Sequence, residues 1–410
     1  MLRSTTFRIS PRCRCGLRKT WPTREKVRAA RQHTSTRQEH MTVKIAVLGG
    51  GHGSWATVAE LAENGHEVRW WRRNAEALEA VRATGAVGVR DYRGSRSVSV
   101  GDGAGEINPV ADLAEAVRGA ALVVIPLPST THDDLAPQLA PLLSDGQVVF
   151  LPPGTFGSLV FAQAVAAVGG SSEIAFAEAG TLPYLARRYG DAEVVISGYA
   201  TRLPTGVFPL RLAESAFQTL REAYPSVEDA GDGLSGALMN AGPIIHPPLI
   251  TMNAGPLEHF AAWDIHNEGT QPSIRSVTDA LDAERVALRE AFGYGAPHFP
   301  LADHYATDGE EWMYGRAAHE RLTDSGDWRE KIDLHTHRYM VEDTRLGLSL
   351  LVSAGRWAGV PTPVAQGLLA LGSAITGRDF YAEGRTFENL GLADLDRAGL
   401  SKLLRDGVQS

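Results

Sequence analysis

VKIAVLGGGHGSWATVAELAENGHEVRWWRR, residues 43–73, reads as strand, glycine turn, helix, strand. Val43, Ile45 and Val47 lie in an apolar, β-forming run short enough for a buried parallel strand. Gly49, Gly51 and Ser54 fill a GxGxxG frame in which serine replaces the third glycine, and Gly53 lies inside the same turn. The first two glycines permit a tight turn and close approach of a pyrophosphate, which the free N–H groups of the following helix would stabilise. A glycine turn without a ligand is the plainer reading, but its place between a strand and an amphipathic helix favours dinucleotide binding. The second strand ends at Trp71 and is followed by Arg72 and Arg73. An acid there would accept hydrogen bonds from ribose hydroxyls, whereas arginine offers a planar cation to a 2′-phosphate. These arginines favour NADP over NAD; the alternative is a solvated pair opening a helix capped by Asn74.

Outward from this unit, residues 85–105 form a polar, glycine-rich interval. LAEAVRGAALVVIPLPSTTHDDLAPQLAPLLSDGQVVFLPPGTFGS then continues the helix–strand alternation of a doubly wound sheet. Its strands run out at Pro126 and Pro128, and at Pro152. Ligands of open parallel sheets bind beyond such strand ends, so Pro128, Ser129, Thr130, Gly154 and Thr155 are candidate contacts. EIAFAEAG and AEVVISGYA predict further strands. Past the polar stretch SVEDAGDGLSG the apolar spacing becomes helical. The expected fold is α/β: a Rossmann-type doubly wound sheet over residues 41–228, followed by an all-helical domain over 229–410.

With 410 residues, 43% of them hydrophobic, the chain can bury a sizeable core. No apolar run approaches the roughly 18 residues a membrane span needs, so a soluble, cytoplasmic protein is expected. Residues 1–40 hold eleven Lys and Arg against Glu25 and Glu39, a balance of +9; the whole chain carries −8, which leaves −17 for residues 41–410. An acidic body disfavours nucleic acid and anionic membranes as partners. Both cysteines, Cys13 and Cys15, lie in the basic tail. The tail is expected to be disordered, either as translated upstream sequence before Met41 or as a targeting segment. No metal site is expected: the pair His335 and His337 precedes a helical segment rather than a barrel strand.

Two distant segments carry groups suited to chemistry: LMNAGPIIHPPLITMNAGPLEH (238–259) and HRYMVEDTRLGLSLL (337–351). Of 13 histidines, His246 stands out, held between an apolar run and Pro247–Pro248; Asn240 could hold a carbonyl or amide nearby. A lone histidine in such a setting is more often a packed one. In the second segment Arg338 and Glu342 are spaced as a helical surface pair. Arg338 and Asp343 would point roughly 140° apart on an α-helix, so spacing alone does not bring them into one pocket.

The motifs GGGHGSWA, LPPGTFG, TLPY, NAGPIIHPP, EGTQPSI, DAERVALREAF, RYMVED, GVPTP and EGRTFENLGL, in this order over residues 41–405, resemble the opine dehydrogenase family, that of octopine and nopaline dehydrogenases. The resemblance implies a Rossmann domain followed by a helical one, and NAD(P)H-dependent condensation of an amino acid with an α-keto acid such as pyruvate, in a monomer or homodimer. It implies that His246 pairs with Asp343 in catalysis, that Arg338 holds the keto acid carboxylate, and that Asn240 and Thr155 line the same pocket. Two alternatives remain at this point: a 3-hydroxyacid or glycerol-phosphate type dehydrogenase, whose proton donor would be a lysine, and a non-catalytic NADP(H) sensor. Lys331 and Lys402 are the lysines of the helical half.

Overall fold

The computed structural model describes residues 41–190, 192–306, 309–315 and 329–409. The expectations for residues 1–40, including both cysteines, lie outside the described residues. Fourteen strands are described: β1 (Lys44–Leu48), β2 (Glu67–Trp71), β3 (Ala86–Asp91), β4 (Gly94–Ser99), β5 (Ile107–Pro109), β6 (Leu122–Val124), β7 (Val148–Leu151), β8 (Ala175–Ala179), β9 (Tyr184–Tyr189), β10 (Glu193–Tyr199), β11 (Leu203–Phe208), β12 (Val227–Asp232), β13 (Trp263–Asp264) and β14 (Arg329–Glu330). The main sheet has the order β12-β11-β8-β7-β6-β1-β2-β5. Its six strands from β8 to β5 are mutually parallel, and β11 runs antiparallel to β8. Strand order reverses between β1 and β6, the switch point where ligands of doubly wound sheets lodge.

Both faces of this sheet are covered, which is why its strands read as continuous apolar runs. Successive side chains alternate between faces: Ile45 and Val47 of β1 join a core with Trp55, Trp70 and Phe150, whereas Ala46 and Leu48 join one that continues into Leu234, Ile244, Leu249 and Leu348. The helical half therefore shares a core with one face of the nucleotide-binding sheet. Beyond β12 the described chain is helical, with main helices at Gly242–Met252, Pro272–Ala291, Leu348–Ala358, Pro363–Thr376 and Arg397–Asp406; β13 and β14 form only a two-residue antiparallel pair. Among the described residues no helix is long and apolar enough to cross a membrane.

Residues 85–105, expected as a polar interval, contain the hairpin β3–β4, which joins β10 and β9 in a second sheet of order β4-β3-β10-β9. Val87, Val89 and Val98 face inward at period two, while the outward positions are polar, so the composition hides the alternation.

Candidate active site

The glycine turn closes over the switch point. Gly49 has φ +139°, and a Cβ there would fall 2.7 Å from Ser54 Oγ and 2.8 Å from Leu127 Cδ2; only glycine fits. Trp70 Nε1 donates to Gly49 O at 2.6 Å, fixing the turn to β2. The helix His52–Glu63 starts at Gly51 with no side-chain cap, so its first amides are left for an anion. Ser54, fully buried, packs where the third glycine of the motif would lie, and Gly53 faces Leu182. A Cβ on Gly50 would lie 2.6 Å from Arg72 Nε, so the Arg72 side chain lies against the turn. Its Nη1 is buried and has no hydrogen-bond partner in the protein; burial first, and then the Arg188 guanidinium, pull its pKa down. Arg73 is exposed, and Asn74 caps the next helix by accepting from Ala77 N at 3.1 Å. An uncapped helix start beside an unpartnered buried donor fits a phosphate-bearing dinucleotide.

Two strand-end loops, those after β6 and β7, meet through Ser129 and Thr155. After β6, Pro128 opens the 3₁₀ turn Ser129–Thr131. Ser129 N donates to Glu342 Oε1 at 2.7 Å, and Ser129 Oγ lies 3.2 Å from Thr155 Oγ1. After β7, Thr155 and Phe156 both take positive φ, 52° and 63°. Such left-handed backbone in bulky residues is strained and needs support. Glu178 of β8 provides it, accepting from Phe156 N at 2.7 Å and Ser158 N at 2.9 Å. Gly154 has no Cβ because one would fall 2.5 Å from Glu178 Oε2. Asn240 Nδ2 donates to Thr155 Oγ1 at 3.0 Å, while its Oδ1 accepts from Gly242 N at 2.9 Å.

His246 lies within the helix Gly242–Met252, and its Nδ1 is 2.8 Å from Asp343 Oδ2. Gly242 permits this approach, since a Cβ there would meet Asp343 Oδ1 at 2.3 Å. The imidazole stacks on Tyr339 (centroids 3.7 Å apart, planes at 11°), and His266 stands edge-on to both rings. Burial first, then the charges of Arg338 and His337, hold the His246 pKa well below its ordinary value. Burial pushes Asp343 up to about 7 against the pull of Arg338, and Glu342 likewise to about 7 through burial and its neighbour Asp343.

Arg338 and Asp343 share this pocket because Tyr339–Gly347 is a π-helix. Its hydrogen bonds close between residues five apart, as Leu348 N to Asp343 O shows; residues five apart then stack instead of diverging as on an α-helix. Arg338 is exposed, with the Tyr339 phenol and the carboxyls of Asp343 and Glu342 close by. Burial alone would lower its pKa, but the phenol of Tyr339 and the carboxyls of Asp343 and Glu342 raise it overall. Its guanidinium carbon sits 5.0 Å from the Tyr339 ring centroid. Sequence reasoning missed Tyr339, His266, Glu178 and Glu342 as parts of this cluster. Tyr339 and Glu342 lay within a quoted motif, RYMVED, but nothing local distinguished them from packing residues.

Two family models match the chain. Residues 230–376 match the helical domain of NAD/NADP octopine/nopaline dehydrogenases, and residues 44–152 match the N-terminus of NAD-dependent glycerol-3-phosphate dehydrogenase. An opine dehydrogenase of Arthrobacter sp. (strain 1C) is 28% identical over 365 residues, covering 87% of this chain and 97% of the relative. Octopine dehydrogenase with NADH and pyruvate superposes with a TM-score of 0.64 at 18% identity, over 90% of this chain and 99% of that one. Yersinopine dehydrogenase with NADP+ gives 0.60 at 13%, over 89% and 98%. The glycerol-phosphate family model matches only within the nucleotide half, whereas the helical-domain model and the relative matched over 87% of the chain point the same way: the chain is similar to opine dehydrogenases over most of its length, with the fold of an NAD(P)-dependent oxidoreductase.

Proposed function

We propose that this chain joins an α-amino acid to an α-keto acid such as pyruvate and reduces the resulting imine, giving an N-(carboxyalkyl)amino acid. Residues 41–228 would hold the dinucleotide and 229–410 most of the substrate pocket. The observation that carries the reading is the His246–Asp343 pair at 2.8 Å, from two segments 97 residues apart in sequence, beside the cationic Arg338. The amine nitrogen attacks the ketone carbon, and loss of water from the carbinolamine leaves the imine. With Asp343 ionised, His246 Nδ1–H donates to Oδ2, leaving Nε2 as the acceptor for the amine's proton; the same nitrogen then returns a proton to the departing hydroxyl. Asp343 fixes that tautomer and stabilises the transient imidazolium, as a carboxylate does in a hydrolytic triad. Arg338 holds the keto acid carboxylate, and Thr155 with Asn240 borders the reacting carbon. The reduced nicotinamide, when bound, supplies the hydride for the imine. Arg72 beside the glycine turn favours NADPH.

The reading with a lysine proton donor has no support here. Lys331 Nζ donates to the carbonyls of Leu257, Glu258 and Phe260 (3.1–3.4 Å), and Lys402 is exposed. The test follows NADPH and NADH oxidation with pyruvate, glyoxylate or 2-oxoglutarate against a panel of amino acids. Oxidation should require both carbon substrates and run faster with NADPH. Equal oxidation with a keto acid alone would mean simple ketone reduction, and tight cofactor binding without turnover across the panel would mean a sensor.

A further inference from the structure

The motif EGRTFENLGL (383–392) has no role in the mechanism above, yet it delivers a buried cation to the base of the site. We propose that Arg385 is a positioning residue: its guanidinium grips the backbone of both strand-end loops, so that Ser129 and Thr155 keep their places only while the C-terminal turn is docked. The inference rests on the reading that Thr155 borders the reacting carbon.

Arg385 Nη1 donates to Gly154 O at 3.2 Å and Thr155 O at 3.0 Å, and Nη2 donates to Ser129 O at 3.2 Å. These carbonyls belong to the loops after β7 and β6, more than 200 residues away in sequence. The side chain is buried at 4% exposure, and the carboxylate nearest it is Asp133, at 3.5 Å on the rim. Glu178 and Glu342 lie within electrostatic reach. Each of these acids accepts from the same loops on another side: Glu178 from Phe156 N and Ser158 N, Glu342 from Ser129 N. The loops are thus held by donors on their carbonyls and acceptors on their amides. The strained positive-φ pair Thr155–Phe156 lies between the two grips.

The turn that carries Arg385 is itself fixed. A Cβ on Gly384 would fall 2.1 Å from Ser349 Oγ, so only glycine permits this approach. Asn389 Nδ2 donates to Gly384 O at 2.8 Å, and Gln163, from the helix that follows the Thr155 loop, donates to Leu390 O at 2.9 Å. Glu342 and Asp343 then divide two tasks between adjacent carboxyls: Asp343 serves His246, and Glu342 serves the loop that Arg385 holds from below.

The experiment compares Arg385→Lys and Arg385→Met with the intact chain. A misplacement of about 1 Å is enough for a ~100-fold fall in kcat; that fall is expected in the Met variant, with the NADPH dissociation constant unchanged. The Lys variant keeps the charge but not the fork, and should fall between. Added guanidinium ion should restore kcat of the Met variant saturably and leave the wild type untouched. Amide hydrogen exchange at residues 155–158 is read in parallel and needs no turnover: it should rise in Arg385→Met and stay unchanged in His246→Ala. Unchanged kcat and exchange in both variants would overturn the proposal. So would parallel loss of cofactor affinity and thermal stability with no rescue by guanidinium, which would make Arg385 a packing residue only. An inactive wild type with the expected exchange pattern would refute the catalytic reading instead.

Discussion

Replacing Asp343 by asparagine tests the site at the hydrogen bond that defines it. The amide has the shape of the carboxyl, so the contact with His246 Nδ1, 2.8 Å in the native protein, is retained while its polarity is reversed. The substituted side chain would turn its NH₂ toward Nδ1, and the ring proton would move to Nε2, where an acceptor is needed. Loss of the charge-assisted bond alone removes ~1.5–3 kcal/mol, about ten- to a hundredfold in rate. The inverted tautomer adds to this; in a serine protease triad the same exchange lowers kcat by about 10⁴. A fall of about 10² to 10⁴ in kcat is therefore expected, with the NADPH dissociation constant unchanged. The pH dependence gives a second readout. Asp343 titrates at about 7 through burial, and only its ionised form leaves Nε2 free to accept. Wild-type kcat/KM for condensation should therefore be full above pH 7 and decline as pH falls through it; the Asp343→Asn variant, locked in the low-pH arrangement, should lack this limb. Steady-state kinetics from pH 5.5 to 8.5 decide the matter. Wild-type kcat in Asp343→Asn, or the same limb in both proteins, would refute the argument.

Arg338→Lys keeps the charge but removes the planar fork; KM for the keto acid should rise about tenfold or more with a smaller change in kcat, and an unchanged KM would assign the carboxylate to another cation. Replacing both Arg72 and Arg73 by glutamate should turn the ratio of kcat/KM from NADPH toward NADH, with Arg72→Glu alone giving most of the shift because Arg73 is exposed. An unchanged ratio would discard the 2′-phosphate assignment. Glu342→Gln preserves an acceptor for Ser129 N but abolishes a carboxyl raised from 4.5 to about 7 by burial and Asp343. Such a group binds more protons folded than unfolded between those values, so its contribution is present below the window and lost as pH rises through it. Thermal midpoints should accordingly decline less steeply between pH 4.5 and 7 in Glu342→Gln than in the wild type; identical slopes would mean that Glu342 is ionised throughout.

What the sequence disclosed and what it withheld follow one division. The glycine turn, the strand ends just before Pro126 and Pro152 and the helical second half were legible, because each is written in local chemistry: φ requirements, a missing N–H, apolar period. The hairpin β3–β4 was hidden because only one of its faces is apolar. Arg385 could not be read at all, since its role is set by carbonyls more than 200 residues away, and no local pattern encodes such a contact. Arg338 and Asp343 are the instructive case. The α-helical rule separates them by roughly 140°, and the chain breaks that rule over Tyr339–Gly347. A π-helix is rare and concentrates at functional sites; here Thr344 Oγ1 donates back to Tyr339 O at 2.8 Å, five residues earlier, supporting the widened turn. An α-helix through this segment would keep Arg338 near Glu342 and turn Asp343 away from it. The irregular winding instead brings Arg338 and Asp343 to one side of the segment, where Asp343 Oδ2 meets His246 Nδ1, while the adjacent Glu342 still reaches Ser129 N.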